Sequence, residues 1–168
     1  KDIISNVNIT GYDLISKPTL SNAGGVAFYV RNNLRYNIRP DFTLSTPDFE
    51  ALWIEIYADG QQNLICGVLY RHPNNDFKKF MDYINTTTEK ITSENKLCVF
   101  MGDFNINLLN IDTHADSENF LNSLGSSFFL PQILQPTRIT DHSATLIDNI
   151  FFNSIEHFTI SGNIVYAL

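Results

Sequence analysis

The chain has 168 residues, a formal net charge of −7 and a pI near 4.9, which suits one domain with one hydrophobic core. This acidic balance argues against a protein that holds nucleic acid by bulk positive charge, but it allows an acidic pocket that meets phosphate through a bound cation. No segment approaches the roughly 20 apolar residues of a membrane span, so we expect no membrane partner. The first residues also lack the apolar stretch of a secretory signal.

The first part of the chain is predicted to form strands joined by turns. Short apolar stretches over Gly11–Ser16 and Gly25–Val30 flank a turn-rich segment, and the pair Gly24-Gly25 allows a tight backbone at the start of the second stretch. Apolar and polar residues alternate over Phe49–Tyr57, and Leu64–Tyr70 forms the next apolar run. These two runs predict an antiparallel hairpin.

The spacing of apolar residues then changes to a helical period. Asp76 is the expected N-cap of an amphipathic helix from Phe77 to about Ser93 that packs on the sheet. The remaining predicted elements are a buried strand over Lys96–Met101, a helix from Ser117 to about Leu124, and strands over Thr145–Phe152 and His157–Val165. This order predicts an α/β fold with a mixed sheet layered with helices, and residues 1–168 form a single domain without linker or repeat.

Two cysteines, Cys66 and Cys98, lie inside apolar runs. Because these runs are expected to be buried strands, we interpret both as buried free thiols in a reducing compartment and favour this over a disulfide. Neither has a neighbouring Cys or His at the spacing of a zinc site.

An acid and an amide follow the Lys96–Met101 strand, in the segment Gly102-Asp103-Phe104-Asn105-Ile106-Asn107. Side chains at positions i and i+2 of an extended segment point to the same side, so Asp103 and Asn105 can face one ligand. The carboxylate supplies charge and accepts protons, whereas the amide both donates and accepts hydrogen bonds. Together they suit an anionic substrate held with a hard cation.

Seven short blocks span nearly the whole chain: Gly11–Asp13, Gly24–Val30, Glu50–Ile56, Gly67–Pro73, Gly102–Asn105, Gln135–Arg138 and Thr145–Ile150. In this order they resemble the endonuclease/exonuclease/phosphatase superfamily, and specifically the apurinic-type endonuclease domain of non-LTR (LINE-like) retrotransposons. The Gly-Asp-Phe-Asn block, combined with the later Leu-Ile-Asp block, is the most specific part of the resemblance.

The resemblance implies a two-sheet mixed α/β β-sandwich flanked by helices, with a magnesium-dependent nuclease site at one edge of the sheets. By position, Asp103 matches the aspartate that orients or deprotonates the attacking water. Asn105 matches the asparagine that contacts the scissile phosphate. Tyr70 matches the tyrosine near that phosphate, and Asp148 matches the aspartate that orients a catalytic histidine.

The resemblance also places two catalytic elements outside the sequence. The metal-binding glutamate is expected before Lys1 and the final Asp-His pair after Leu168, so the domain is expected to lack its first strands and its last strand. The metal ligand is therefore unknown, with Asp103 as a candidate. Of the internal glutamates, we interpret Glu50 as structural, in a salt bridge at the start of its strand. Activity of these residues alone is expected to be weak or absent.

Each candidate residue also has a structural interpretation. Asp103 can cap a turn, Asn105 can adopt a left-handed conformation, and Tyr70 can be a buried aromatic with a satisfied hydroxyl. Asp148 lies in an apolar strand, where a buried carboxylate needs a partner. Arg138 can bind DNA phosphate or pair with a nearby acidic side chain.

The histidines His72, His114, His142 and His157 are each expected to be solvated or locally hydrogen-bonded, although His72 is close to Tyr70 in sequence.

Two classes of function follow from these observations. The first is an Mg²⁺-dependent endonuclease, with Mn²⁺ as an alternative ion, that nicks target DNA for a retroelement. Its expected partners are DNA and a downstream reverse transcriptase domain in the same polyprotein, and its expected location is intracellular, in the nucleus. The second is a non-catalytic remnant of such a domain. A phosphatase of the same fold, acting on inositol phosphates or a sphingolipid head group, is less favoured by the block Gln135–Arg138.

Overall fold

The computed structural model describes residues 8–18, 24–154 and 162. Within them the chain forms eleven strands and two α-helices. The strands are β1 Tyr12–Lys17, β2 Val26–Arg31, β3 Arg35–Ile38, β4 Leu44–Ser45, β5 Phe49–Tyr57, β6 Leu64–Arg71, β7 Leu97–Asp103, β8 Leu130–Pro131, β9 Arg138–Thr140, β10 Ser143–Thr145 and β11 Asp148–Phe152. The helices are α1 Phe77–Ser93 and α2 Ala115–Ser126, and a short 3-10 turn covers Leu108–Asn110.

A mixed sheet forms the centre of the fold. Within the described residues it has seven strands in the order β3-β5-β6-β7-β11-β8, and β4 also pairs with β5. Strands β6 and β7 are parallel and the other pairs are antiparallel. The connection between the two parallel strands runs through α1, since parallel neighbours need a crossover. The fold is therefore α/β with a mixed sheet, as the sequence predicts.

One face of this sheet is covered by the β1–β2 hairpin. Ile15, Val26 and Val30 of the hairpin pack with Leu52 and Ile54 of β5 in one buried cluster. The hairpin is antiparallel, and Gly24 and Gly25 lie just before β2 with φ angles of 125° and 105°, a conformation that glycine adopts without steric cost. Two sheets thus pack face to face, which confirms the predicted sandwich character.

The opposite face packs against both helices. Asp76 accepts hydrogen bonds from the backbone N–H groups of Lys78 and Lys79, so it is the predicted N-cap of α1, and the helix has the predicted bounds. The core on this face is rich in aromatic side chains from β5, β7, β11, the helices and the segments that follow β7 and α2. They are Trp53, Phe80, Phe100, Phe104, Phe120, Phe129 and Phe151, all at most 1% exposed.

The predicted strand Thr145–Phe152 is wrong as a continuous element. It is divided into β10 and β11, because the backbone between them bonds to a loop: the Ile147 carbonyl accepts from Phe104 N–H and the Leu146 carbonyl accepts from Leu108 N–H. Strands β3 and β4 were not predicted, since four and two residues carry too little alternation. The predicted strand His157–Val165 lies outside the described residues, apart from Gly162.

Cys66 and Cys98 are both buried free thiols. Cys66 belongs to the core on the hairpin side and Cys98 to the core on the helix side, so the sheet separates them. Burial raises the pKa of Cys66 to about 11. Among the described residues, none of the helices combines the length and apolar character needed to cross a bilayer.

Two glycines give a matched test of this packing. A Cβ at Gly102 would lie 1.9 Å from the Leu69 carbonyl oxygen, whereas a Cβ at Gly125 in α2 meets nothing within 4 Å. We expect Gly102→Ala to lower the free energy of unfolding by about 3 kcal/mol, because the backbone of β6 must move. Gly125→Ala should raise it by about 0.5 kcal/mol through helix propensity. Urea unfolding of both variants measures this, and equal stabilities would contradict the close approach of β6 and β7.

Candidate active site

Four polar residues form one row across the main sheet. Glu50 of β5 is paired with Tyr70 of β6, Tyr70 with Asp103 of β7, and Asp103 with Asp148 of β11. Directly paired residues place their side chains on the same face of a sheet. Tyr70 packs with the core on the hairpin side, so the row lies on that face. We call Glu50, Tyr70, Asp103 and Asp148 the transverse row.

The chain turns immediately after Asp103. Asp103 is the last residue of β7, and its Oδ1 accepts a hydrogen bond of 2.9 Å from the Asn105 N–H. Asn105 has a φ of 48°, so the extended backbone expected at this position is wrong and the left-handed alternative is confirmed. Phe104 between them is 1% exposed and enters the aromatic core. The turn therefore buries Phe104 and leaves Asp103 and Asn105 partly exposed.

Arg71 stabilises this turn from the neighbouring strand. Its Nε donates to the Phe104 carbonyl at 2.8 Å and its Nη2 to the Asn105 carbonyl at 3.0 Å. In return the Asn105 amide Nδ2 donates to the Arg71 carbonyl at 2.7 Å. Sequence reasoning did not identify Arg71, because an arginine after a strand is usually exposed, whereas this one is 8% exposed.

The surroundings of Asp103 shift its acidity. Burial, followed by the negative charge of Asp148, raises the pKa of Asp103, while the Asn105 N–H and the positive charges of Arg138 and Arg71 act in the opposite direction. The balance is a pKa above the ordinary value of an aspartate. A carboxylate in this position gains from a cation placed next to it.

The Asp103 carboxylate offers oxygen ligands, which suit Mg²⁺. The described residues contain no cluster of three or more His, Cys, Asp or Glu side chains able to hold a metal ion. Mg²⁺ retains several water ligands and is commonly held by one or two carboxylates, so a site with Asp103 as its ligand from this chain fits such an ion. The raised pKa of Asp103 agrees with a site that favours added positive charge.

The other predicted site residues differ in their exposure and in their contacts. Arg138 is exposed at the start of β9, and its charge reaches Asp103. Asp148 begins β11 and is partly exposed, so it is less buried than expected from its apolar neighbours. Tyr70 is also partly buried, and its ring contacts the His72 ring edge-on at a centroid distance of 4.9 Å.

Glu50 differs most from expectation. It has the predicted polar partner, since its Oε1 lies 3.0 Å from Nε2 of His72, but Glu50 is fully buried and not at the surface. His72 is locally hydrogen-bonded, as predicted. Of the other histidines, His114 precedes α2, His142 is exposed, and His157 lies outside the described residues. The signal for Glu50 was its place opposite Tyr70 in the predicted hairpin.

Solved structures of low sequence identity share this architecture. The endonuclease domain of TRAS1, a telomere-specific non-LTR retrotransposon, is similar with a TM-score of 0.67 at 15% identity, over 86% of this chain and 68% of that chain. The human nocturnin catalytic domain gives a TM-score of 0.58 at 17% identity, over 85% and 61% of the two chains. A family protein from Leptotrichia buccalis C-1013-b gives 0.57 at 21% identity, over 89% and 63%.

These similarities show the fold, and the chain spans between 61% and 68% of the lengths of these three structures. None of the curated proteins matches the chain in sequence. The sequence profile of the endonuclease/exonuclease/phosphatase family, however, matches residues 6–165. The transverse row, the sandwich around it and this nearly complete match lead to one conclusion: the chain belongs to the endonuclease/exonuclease/phosphatase family.

Proposed function

We propose that the chain contributes the greater part of a divalent-metal-dependent endonuclease that hydrolyses DNA phosphodiesters for a retroelement. The observation that carries this proposal is the transverse row, which brings Tyr70, Asp103 and Asp148 from three strands to one end of one face. The fold similarity to a retrotransposon endonuclease domain supports the choice of a retroelement.

The residues of the site divide the chemistry among them. Hydrolysis of a phosphodiester needs a group that accepts a proton from the attacking water and donors that stabilise the charged phosphate oxygens. Asp103 is the proton acceptor in this scheme. The second amide hydrogen of Asn105 and the Tyr70 hydroxyl are the donors to the phosphate. Asn105 is well suited to this role, because its backbone and side chain are already held by Asp103 and Arg71.

Asp103 would hold the divalent ion, Mg²⁺ or Mn²⁺, which when bound supplies positive charge to the phosphate and the leaving oxygen. Asp148 keeps its inferred role of orienting a catalytic histidine. The negative charge of Asp148 next to Asp103 also keeps the site attractive for a cation.

DNA is the proposed partner, and Arg138 is the proposed phosphate contact of the β9–β10 hairpin. An acidic chain needs such local positive groups, because its overall charge repels the DNA backbone. The proposal also includes a single nuclease domain and a reverse transcriptase domain in the same polyprotein. The proposed location is the nucleus.

The first test is nicking of supercoiled plasmid by the protein translated from its complete open reading frame. We expect Mg²⁺-dependent nicking by the wild type and a loss of at least about a hundredfold in Asp103→Asn, because the amide no longer accepts a proton. Asp82→Asn, on the exposed side of α1, is the matched control and should nick like the wild type. An inactive wild type indicates the non-catalytic remnant, and release of phosphate from inositol phosphates indicates the phosphatase.

The second test compares two aspartates whose pKa values are shifted in opposite directions, and it uses metal-free protein. A raised folded pKa costs stability in full above the folded pKa, and this cost shrinks as the pH falls below it and vanishes below the unfolded pKa of about 3.9. Asp103→Asn should therefore raise the free energy of unfolding at pH 7 and have little effect near pH 3.

Asp41→Asn is the matched control with the opposite sign. Ion pairs with Arg39 and Lys90 hold the pKa of Asp41 well below its usual range, so its stabilisation is present above the unfolded pKa and is lost as the pH falls through the folded pKa. We expect Asp41→Asn to cost about 1 kcal/mol at pH 7 and less at acid pH. Urea unfolding with EDTA measures both variants, and a destabilised Asp103→Asn contradicts the described electrostatics.

The third test concerns Arg138. In an Asp103→Asn background that leaves DNA intact, Arg138→Ala should reduce the slope of log affinity against log salt concentration by about 1, because one phosphate contact is lost. Arg35→Ala is the control, since Arg35 is exposed on β3, an edge strand of the main sheet, whereas Arg138 belongs to the separate β9–β10 hairpin. Fluorescence anisotropy with a duplex measures both, and an unchanged slope in Arg138→Ala excludes the contact.

A further inference from the structure

Glu50 is a buried carboxylate that the proposed chemistry does not use. It is 0% exposed, and among the described residues its Oε2 is a buried side-chain oxygen without a hydrogen-bond partner. A buried charged group is costly, and an apolar residue of similar size at such a position is often at least as stable. The stability of the sheet therefore does not explain why a glutamate occupies this position.

The contact that Glu50 makes points toward the active site. Its Oε1 lies 3.0 Å from Nε2 of His72. This distance is that of a hydrogen bond, in which Nε2 donates when Glu50 is a carboxylate. The His72 backbone is held as well, since its N–H donates to the Asp48 carbonyl at 3.0 Å. Ring and backbone of His72 are therefore both restrained on the β5 side.

The His72 ring also contacts the ring of Tyr70. The two rings meet edge-on, with centroids 4.9 Å apart and planes at 76°, which is a favourable aromatic arrangement. Tyr70 is also directly opposite Glu50 in the β5–β6 ladder. The three side chains thus form a chain of contacts from the buried carboxylate through the imidazole to the phenol ring.

The Tyr70 ring is the part of the site that most needs such support. Asn105 is held by hydrogen bonds to Asp103 and Arg71, whereas the Tyr70 phenol is held through the packing of its ring, at the end of a side chain with two torsions. Catalytic groups must be held within about 0.5 Å of the productive geometry, and an error near 1 Å can cost about a hundredfold in rate. A ring packed against Tyr70 supplies this restraint.

We propose that the buried Glu50–His72 pair positions the Tyr70 hydroxyl for phosphodiester hydrolysis, with Glu50 and His72 acting as positioning residues that do not touch the substrate. This inference rests on the proposed function. It adds two residues to the site, and it accounts for a buried carboxylate in the same row as Tyr70 and Asp103.

The test is a double-mutant cycle in the protein translated from its complete open reading frame. His72→Gln keeps a donor for Glu50 and removes the ring that contacts Tyr70. We expect it to lower kcat by about tenfold to a hundredfold with little change in KM, because only the geometry of a catalytic group changes. In a Tyr70→Phe background the same substitution should cause no further loss, since the hydroxyl that it positions is already absent.

Three further variants define the role of each partner. Glu50→Leu removes the oxygen that accepts the Nε2 hydrogen, so its kcat should fall about as far as in His72→Gln. Glu50→Gln keeps an accepting oxygen and should restore most of that loss. Tyr57→Phe, at the far end of β5, is the matched control for removal of a phenol hydroxyl and should have the wild-type kcat. Urea midpoints are recorded for every variant. If His72→Gln fails to fold, the cycle is repeated in Glu50→Gln, where no charge is left buried.

The outcomes separate the inference from the proposed function. Losses that multiply in the Tyr70→Phe background, a change in KM alone, or an unchanged kcat in His72→Gln would overturn the positioning role while the nuclease itself stands. A wild-type protein that does not cleave DNA overturns the proposed function and this role with it. The inference is supported if His72→Gln lowers kcat in the wild-type background and causes no further loss in the Tyr70→Phe background.

Discussion

The register of four neighbouring strands is the constraint on which the site depends. Glu50, Tyr70, Asp103 and Asp148 come from β5, β6, β7 and β11 and meet only because each pair of strands is aligned at one position. A slip by one residue in any pair would move a side chain to the other face of the sheet. Gly102 contributes to this alignment, since the close approach to the Leu69 carbonyl leaves no space for a side chain next to Asp103.

The core and the site share the same short segment. Phe104 contacts Phe100, Phe120 and Phe151 at centroid distances between 5.4 and 6.1 Å, while its neighbours Asp103 and Asn105 stay at the surface of the site. The buried ring of Phe104 anchors the turn in the core. Arg71 also stabilises the turn by donating hydrogen bonds to the carbonyls of Phe104 and Asn105. The stability gained in the core thus offsets the electrostatic cost of an aspartate with a raised pKa.

Much of this arrangement could be predicted from the sequence. The bounds of α1 and its cap are confirmed because a helical apolar period and Asp76 indicate the same element. The division of Thr145–Phe152 could not be predicted, since it depends on hydrogen bonds to a distant loop. Register also depends on pairing between distant segments, so the sequence indicated Asp103 and Asn105, and it offered for Glu50 only a place opposite Tyr70 in the predicted hairpin. It gave no indication of Arg71. Burial of these two charged residues is a property of the assembled sheet.

The parallel pairing of β6 and β7 has a consequence for the order in which the molecule assembles during synthesis. Strands β5 and β6 can pair as a local hairpin, but β7 joins them only after α1 has been made and packed, because non-local contacts form later. Until β11 emerges and docks, β7 is an open edge that ends in Asp103. An unpaired edge invites pairing with other chains, and charged residues on an edge discourage it. Asp103 places one such charge at the end of this edge.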